Sequence, residues 1–531
     1  MRSRRGLLAL FLVAFGLVAG LFALVLENHD FETEYLALGN LAVHDELNLY
    51  QDEMSSQWMP LPFFVFGFTQ LVVGPSLLAG RLVAVLLGLA VVWLVFVIAS
   101  RWGGLVAGAV AAGLFCTDGL VIGYFATVHF SSLAALVHLL GIYVLFCTDW
   151  RWRDLAAMAL FSVLFLVKPH YWPTVPFVLA YLVWRAPSLA RRAALLGAGL
   201  AIPLLFFASD VRHWKLFAYV PVLRELVSPM GYRSWHTLME DPESVWVSDY
   251  AQVVYAASLG GRLLAIVQSF AFFLKRYALW CLALLGLGGV SLWRAWRGPQ
   301  SPRRYPAGFW FALALFWYLV ACQFVVVGPY VKQAFAYVGA IAPLLAITLG
   351  CLFARVSESA SWLIRAGAHV GMLTILVVSP WVHRSPYLPR TVSLRDAAIV
   401  RLDRVARRFA ELIPPGGKPI FLLGDAMPVH LAGRRPYLQQ FHEHLMMFTS
   451  VRDRTRYARS GLWGLSEIET WLGHEAPYAI IEERTLAFYA NRAPYTEHVA
   501  RIETLLRTHF GLLATVAPAP ETVFRVYRRT S

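Results

Sequence analysis

Residues 6–36 read GLLALFLVAFGLVAGLFALVLENHDFETEYL, an apolar run that ends in four acidic side chains, Glu27, Asp30, Glu32 and Glu34. The run is long enough to cross the roughly 30 Å hydrocarbon core of a bilayer as a helix. A basic head, MRSRR, precedes it, and the apolar stretch is longer than a signal-peptide core and lacks a clear small-residue cleavage site. The pattern predicts an uncleaved first transmembrane helix whose far end meets water at a cluster of acids.

The composition of the whole chain indicates a multi-pass membrane protein. Of its 531 residues, 58% are hydrophobic and only 15% are charged, and the mean hydropathy is +0.58. These values exclude a soluble globular protein of this size. The formal charge is +14, but the arginines stand in short clusters at the ends of apolar runs. This distribution is typical of membrane topology and argues against a nucleic-acid-binding stripe.

About eleven apolar runs are long enough to span the bilayer. They lie near residues 6–26, 82–100, 103–123, 127–147, 154–168, 171–184, 193–208, 277–293, 306–327, 334–354 and 366–383. The arginine clusters fall in alternate loops, as the positive-inside rule requires. We therefore expect a cytoplasmic N-terminus and, because the number of spans is odd, a C-terminus on the outer face.

This topology places three extramembrane pieces on the outer face: the loops 27–61 and 209–262 and a tail from about residue 384. We expect a membrane domain over 1–385 and a small extracytoplasmic α/β domain over 386–531. In the tail, KPIFLLG, PYAIIEE and TVFRVYRR are typical of strands, and SLRDAAIVRLDRVARRFAELI is typical of an amphipathic helix. The segment PLPFFVFGFTQLVVG, at 60–74, is short for a span and is predicted to lie in the membrane interface.

The sequence does not predict a metal site, a disulfide framework or a cofactor. All five cysteines lie in apolar segments. His442 and His444 in QQFHEHLMMF form an HxH pattern, but no further ligands follow at a reliable spacing. We therefore expect neither a bound metal nor a cofactor.

The four acids after the first span can be placed by helical geometry. If the helix continues, Glu27, Asp30 and Glu34 share one face and Glu32 points elsewhere. Like charges at this spacing destabilise a helix, and ionised groups near hydrocarbon are costly. Either a cation or substrate compensates for them, or they form a solvated collar on the outer side.

Four stretches resemble, in the same order, motifs of the GT-C superfamily of membrane glycosyltransferases. The stretch HDFETEYLALGNLAVHDELNLYQDE followed by MPLPFFVF resembles the first outer loop, with Asp30-Phe31, Tyr35 and Leu49-Tyr50 in the family's positions. The other three are FGFTQLVVGPSLLAGRLVAV with Arg81, LFSVLFLVKPHYWPTVPFVLAYLVWR with Lys168-Pro169, and VVGPYVKQAFAYVGAIAPLLAI with Pro343. The resemblance covers roughly residues 1–385. It is greatest to polyprenol-phosphate-mannose-dependent mannosyltransferases, with protein O-mannosyltransferases and aminoarabinose transferases as relatives.

The resemblance implies a glycosyltransferase of the bacterial cytoplasmic membrane that uses a polyprenyl-phosphate-linked sugar. It implies that Asp30 is the general base that activates an acceptor hydroxyl, with Glu32 and Glu34 as alternative acids. One base and a phosphate leaving group imply single displacement with inversion. The acceptor can be a lipid, a glycan or a protein, and Phe31, where relatives carry a second acid, leaves the sugar open.

A phosphate leaving group gains negative charge in the transition state and requires cations or donors. The candidates are Lys168, His170, Arg81 and Lys332. Lysines that extend to the interface and an arginine that anchors its helix are the alternatives. His129 and Tyr35 are candidates for binding the sugar or the acceptor, although an interfacial histidine is often structural.

Two other classes of protein share this composition. A lipid or glycan transporter or flippase would also be polytopic and basic, but it should show matching broken segments in two halves, and none is evident. A binding or scaffold protein would bind its partners through the tail, and the membrane region would only anchor it.

Overall fold

A computed structural model describes residues 2–28, 30–47, 49, 59–214, 267–268, 270–271, 273–297, 305–326, 338–359, 361–382, 397–441, 463–491, 495–519 and 522–530. These residues fall into two compact units. The membrane unit comprises the described residues within Met1–Ala23, Arg81–Ser209 and Leu259–Leu388. The head unit comprises those within Leu24–Gly80, Asp210–Ser258 and Pro389–Ser531.

The membrane unit is built from helices. In chain order, the helices that begin or end in it are α1 (Arg2–Val25), α5 (Leu77–Thr117), α6 (Gly119–Phe125), α7 (Phe130–Cys147), α8 (Arg153–Val163), α9 (Thr174–Arg185), α10 (Leu189–Ser209), α11 (Ala278–Arg297), α12 (Ala307–Val326), α13 (Ala342–Ser357) and α14 (Trp362–Val382). Two short 3-10 helices, Leu164–Leu166 and Pro169–Tyr171, lie between α8 and α9. In the described part of the chain, α1, α5, α7, α10 and α14 are long and apolar enough to cross a membrane. The chain is a multi-pass membrane protein, as its composition predicts.

Helix α5 contains a reversal of the chain. Gly104 has φ 81° and ψ −178°, outside the helical region, and a positive φ of this kind favours glycine. Gly108 approaches Ser100 and Phe96 so closely that a Cβ at this position would clash with both. In a straight helix, residues 100 and 108 would lie about 12 Å apart along the axis. The chain therefore turns back at Gly104, and the two predicted spans 82–100 and 103–123 correspond to the two arms.

Other span boundaries differ from the expected ones by several residues. The expected span 154–168 is helix α8 followed by a 3-10 turn, and 334–354 corresponds to α13, which begins at Ala342. These ends lack strong capping residues, so hydropathy alone places them poorly. The number of eleven spans and the side of the membrane on which each loop lies stay predictions.

In the head unit, the chain after α1 forms α2 (Asp30–Thr33), a π-helical turn (Glu34–Leu38), α3 (Gly39–Val43) and α4 (Pro60–Val73). Helices α3 and α4 pack closely because Gly39 and Gly67 meet without side chains. Phe64, Phe68 and Val72 of α4 are exposed, so its outward face is apolar. This is the segment that the sequence analysis assigns to the membrane interface.

The tail carries a small mixed sheet with helices, and it belongs to the same compact unit as the first outer loop. Its elements are α15 (Ala398–Leu412), β1 (Phe421–Leu423), α16 (Met427–Leu431), a 3-10 helix (Leu438–Phe441), α17 (Leu465–Thr470), a π-helical turn (Trp471–Glu475), β2 (Tyr478–Glu482), α18 (Glu483–Ala490), α19 (Thr496–His509), β3 (Phe510–Ala519) and β4 (Thr522–Arg529). The sheet order is β1-β2-β4-β3. Strand β2 pairs parallel with β1 and antiparallel with β4, with Ile480 opposite Val526.

The three expected strands of the tail are present, but β3 was not expected. Its sequence, FGLLATVAPA, contains glycine and proline and alternates poorly. It forms a strand because it pairs antiparallel with β4. The core of this domain includes Trp463, Trp471 and Tyr437, of which the last two stack with ring centroids 4.3 Å apart.

Candidate functional site

Several buried polar side chains lie in the membrane unit. One of them is His129, which immediately precedes α7. His129 is completely buried and extended, and its Nδ1 accepts a hydrogen bond from the backbone N–H of Ser131 at 3.2 Å. A side chain in this position satisfies a backbone donor that the first turn of a helix leaves open. Its ring also contacts Tyr124, with centroids 4.8 Å apart, and Phe130, at 4.0 Å. His129 is thus a helix cap whose ring is fixed in an aromatic pocket.

Lys168 lies beside the same helix start. It is 1% exposed, and its Nζ is 5.1 Å from the centroid of the Phe130 ring. A lysine that extended to the interface would be exposed, so this alternative does not fit Lys168. A buried ammonium group is costly in an apolar surrounding unless charges or dipoles compensate for it. Two candidates that were predicted separately, Lys168 and His129, therefore both contact the Phe130 ring.

The segment KPHYWP, residues 168–173, holds this lysine in a rigid turn. Pro169 starts the 3-10 helix, which also contains half-buried His170 and buried Tyr171. Trp172 donates from Nε1 to the carbonyl oxygen of Phe165 at 2.9 Å and stacks on the Phe165 ring at 4.4 Å. The turn is fixed at both ends, so the position of Lys168 is set by the backbone.

Asp118 adds an acid to the membrane unit. It is completely buried, and its Oδ1 accepts a hydrogen bond from the backbone N–H of Val121 at 3.1 Å, which caps α6. Tyr277 interacts electrostatically with Asp118, Arg276 and Tyr124. Because Tyr124 also contacts His129, α6 connects this acid to the histidine.

Arg81 acts on a different part of the unit. Its buried guanidinium donates from Nη1 to the carbonyl oxygen of Ala23 at 2.8 Å. Ala23 belongs to the last turn of α1, where carbonyl groups lack partners within the helix. This bond matches the anchoring alternative for Arg81. Lys332 lies outside the described residues.

In the head unit, the four acids do not share one continuous helix. Helix α1 ends at Val25 and a new helix begins at Asp30, so the expectation that Glu27 and Glu34 lie on one helical face is wrong. Glu27 lies between the two helices. The helical spacing that would place it on one face with Asp30 and Glu34 therefore does not apply. Of Asp30, the structure describes only the backbone, at the start of α2.

The buried acids also exclude a fully solvated collar. Glu32 is 0% exposed and Glu34 is 4% exposed, whereas Glu27 is partly exposed and forms an ion pair with Arg401 at 2.5 Å. Glu34 begins a π-helical turn, an irregularity that occurs often at functional sites. Tyr35 is buried in the same turn, and its ring contacts Phe63 at 5.0 Å.

A network that the sequence analysis missed joins this loop to the tail. The Nδ2 of Asn28 donates to both carboxylate oxygens of Asp425, at 3.1 and 3.2 Å. The backbone N–H of Asp425 donates to Oε2 of Glu482 at 3.3 Å. Asp425 and Glu482 lie at the carboxyl ends of the parallel strands β1 and β2, where side chains of separate strands meet. The signal in the sequence is FLLGD, a buried strand followed by Gly-Asp.

No cluster of three or more metal-ligating side chains occurs within the part of the chain that the structure describes. His442 and His444 lie outside it.

The membrane unit also contains a groove. An apolar groove of about 530 Å³ runs between α11 and α14, where Gly286, Gly367 and Gly371 leave open space. The described residues that line it are apolar, with Thr374 as the exception.

No protein-family model and no curated protein matches this chain by sequence. Solved structures match by fold. The chain is similar to ArnT from Cupriavidus metallidurans bound to undecaprenyl phosphate, with 14% identity, a TM-score of 0.55 and coverage of 98% of this chain and 97% of ArnT. Against ArnT in the apo state, the identity is 15%, the TM-score 0.56 and the coverage 99% and 98%. The Archaeoglobus fulgidus oligosaccharyltransferase with zinc and sulfate gives 10% identity, a TM-score of 0.47 and coverage of 97% and 73%.

ArnT, an aminoarabinose transferase of the GT-C superfamily, matches over nearly its whole length, so the likeness includes both units. The chain therefore has the GT-C fold, and the resemblance drawn from its motifs is confirmed at the level of the fold.

Proposed function

We propose that the chain is a membrane glycosyltransferase that moves a sugar from a polyprenyl phosphate to an acceptor hydroxyl on the outer face of the bacterial cytoplasmic membrane. The buried Lys168 beside the start of α7 carries this proposal. A buried ionisable side chain in a membrane unit is costly and is often part of a substrate or ion pathway. A lysine is also a common point-charge partner of phosphate.

Phosphate chemistry fits the surroundings of Lys168. Transfer breaks the bond between the anomeric carbon and the phosphate oxygen, and the leaving phosphate gains negative charge as it departs. Lys168 and the adjacent His170 would stabilise this charge, with His129 at the sugar. We assign Arg81 mainly to anchoring and keep Lys332 as a further candidate for the phosphate. The undecaprenyl phosphate bound to ArnT supports a lipid phosphate as the donor.

On the acceptor side, we propose that Asp30 takes the hydroxyl proton as the oxygen attacks the anomeric carbon. This assignment rests on the family's motif, with Glu32 and Glu34 as alternatives. One displacement at the anomeric carbon inverts its configuration, and no covalent sugar intermediate forms.

The walls of the groove between α11 and α14 are apolar and would suit the isoprenoid chain of the donor.

We also propose the orientation inferred from the arginine pattern, with the N-terminus in the cytoplasm and the tail outside. Labelling of single cysteines introduced near Arg4 and Lys418 in intact cells tests this orientation. Only the second should react with a membrane-impermeant reagent.

Product analysis tests the transferase. Purified protein in lipid nanodiscs is supplied with polyprenyl-phosphate sugars and candidate acceptors. We expect free polyprenyl phosphate and a glycosylated acceptor in equal amounts, with inversion seen by NMR. A transporter or flippase would move the intact lipid across the bilayer and release neither product, and that outcome contradicts the proposal.

A further inference from the structure

A small polar cavity lies in the head unit between the first outer loop and the tail. Its volume is about 220 Å³. Asn40, His44 and Glu46 line it from the loop, and His430, Arg435 and Phe441 line it from the tail. Pockets for drug-sized ligands measure roughly 300–1,000 Å³. The cavity is therefore large enough for only a small ligand.

The arginines around this cavity are already engaged. Arg434 donates to the carbonyl oxygens of Ile413 and Ala410, at 2.7 and 3.1 Å, near the carboxyl end of α15. Arg435 pairs through Nη1 with Oε2 of Glu46 at 3.1 Å. Burial lowers the pKa of His430 to about 4, so this imidazole is neutral at pH 7. Among the described residues that line the cavity, an added anion would meet the Glu46 carboxylate and no unengaged cation, so the cavity is poorly suited to phosphate or carboxylate.

Two residues that line this cavity each carry a buried polar atom without a hydrogen-bond partner among the described residues. These atoms are Nε2 of His430, whose residue is 5% exposed, and Oδ1 of Asn40. A buried polar atom of this kind destabilises the folded chain if nothing binds it. Both residues line the same cavity, so one ligand with several small polar groups would satisfy both.

We propose that this cavity binds one neutral sugar ring of the acceptor, which makes the acceptor a glycan or a glycolipid. Sugar hydroxyl groups donate and accept at once, so adjacent hydroxyls can bridge Arg435 and Glu46 and reach His430 and Asn40. Phe441 supplies an apolar part of the lining, next to which the C–H face of the ring would lie. The proposal rests on the proposed function only in calling the sugar an acceptor.

Saturation-transfer NMR on the purified full-length protein tests this site without any donor. The probes are methyl glycosides of mannose, glucose, galactose and arabinose, with inorganic phosphate as a competitor. We expect at least one glycoside to bind and phosphate at equal concentration to leave its signal unchanged. Both His430→Phe and Glu46→Gln should weaken binding at least about tenfold, which corresponds to 1.4 kcal/mol.

Glu469→Gln is the matched control. Glu469 pairs with Arg501 at 3.1 Å, as Glu46 does with Arg435, and it does not line the cavity. Binding should survive this change. Absence of binding by every glycoside, competition by phosphate, or unchanged affinity in both cavity variants overturns the proposal. Thermal unfolding of each variant identifies a misfolded preparation, and Glu46→Gln, at a partly exposed site, provides a test if His430→Phe does not fold.

The outcome is separable from that of the transferase assay. Glycoside binding without any transfer would leave the cavity assigned and remove the proposed function. Transfer to an acceptor that contains no sugar, with no glycoside bound, would do the reverse.

Discussion

Arg81 and Lys168 in the membrane unit are at most 1% exposed, whereas the ion pairs Glu27–Arg401 and Glu46–Arg435 in the head unit leave 25% to 52% of each side chain exposed. The exposed pairs join the first outer loop to the tail at little cost in desolvation. The buried cations bear a much larger cost, so each of them needs a structural or chemical reason. For Arg81 that reason is a helix end, and for Lys168 we propose substrate.

Substitution of Lys168 should produce the largest effect. We expect Lys168→Gln to lower kcat/KM for sugar transfer by about 10²- to 10³-fold, because a donor to the developing phosphate charge is lost. Lys168→Arg should recover part of this activity. Steady-state kinetics measures the effect, and Lys275→Gln, at an exposed lysine of the same unit, is the control. Equal losses in both variants would contradict a specific role for Lys168.

Substitution of Arg81 should show the contrasting behaviour. Arg81→Gln removes a charged donor to the end of α1, and we expect it to lower the free energy of unfolding by about 2–3 kcal/mol. Turnover per folded molecule should change less than threefold. Thermal unfolding in detergent and kinetics on the folded fraction measure the two quantities. If Arg81→Gln were as stable as wild type but had lost most of its turnover, Arg81 would instead be assigned to binding the phosphate.

His430 should make the stability of the head unit depend on pH. Its pKa is about 4 in the folded chain, against 6.5 ordinarily, because burial disfavours the charged form. As pH falls from 6.5 towards 4, the unfolded chain binds a proton there and the folded chain does not, so stability decreases. At pH 5 the loss amounts to about 2 kcal/mol.

The measurement compares the melting temperatures of wild type and His430→Gln at pH 7 and pH 5. We expect wild type to lose several degrees more than the variant over this range. A parallel decrease in both proteins would show that His430 does not contribute.

The exposed pair Glu27–Arg401 should give the smallest effect. A double-mutant cycle with Glu27→Gln and Arg401→Gln should yield a coupling of under about 1 kcal/mol, since both side chains are partly solvated. The coupling should also decrease in high salt. A coupling above 2 kcal/mol would remove the distinction between the exposed pairs and the buried cations.

The sequence predicted what depends on local pattern. Apolar runs marked the helices, including the separate runs 82–100 and 103–123 that meet at the reversal at Gly104, and the Lys-Pro motif marked Lys168. His129 and Lys168 were candidates because they stand where the resembled family carries polar residues. The three tail strands followed from their buried apolar pattern.

Features that depend on contacts between distant residues were missed. Neither glycine nor proline marks the end of α1 at Val25, so the acids were assigned to a helix that does not continue. Asn28 and Asp425 are 397 positions apart, and Glu46 and Arg435 are 389 apart. A single sequence carries no signal for such pairs. Strand β3 depends on its partner β4 for order, which is a tertiary effect.

The turnover of Asp30→Asn tests the central claim most directly. Release of polyprenyl phosphate from a polyprenyl-phosphate sugar is measured for wild type and for this variant in matched nanodiscs, with folding checked by thermal unfolding. We expect acceptor-dependent release by wild type and at least about 10²-fold slower release by the variant, because the general base is lost. Undiminished release by folded Asp30→Asn would contradict the account.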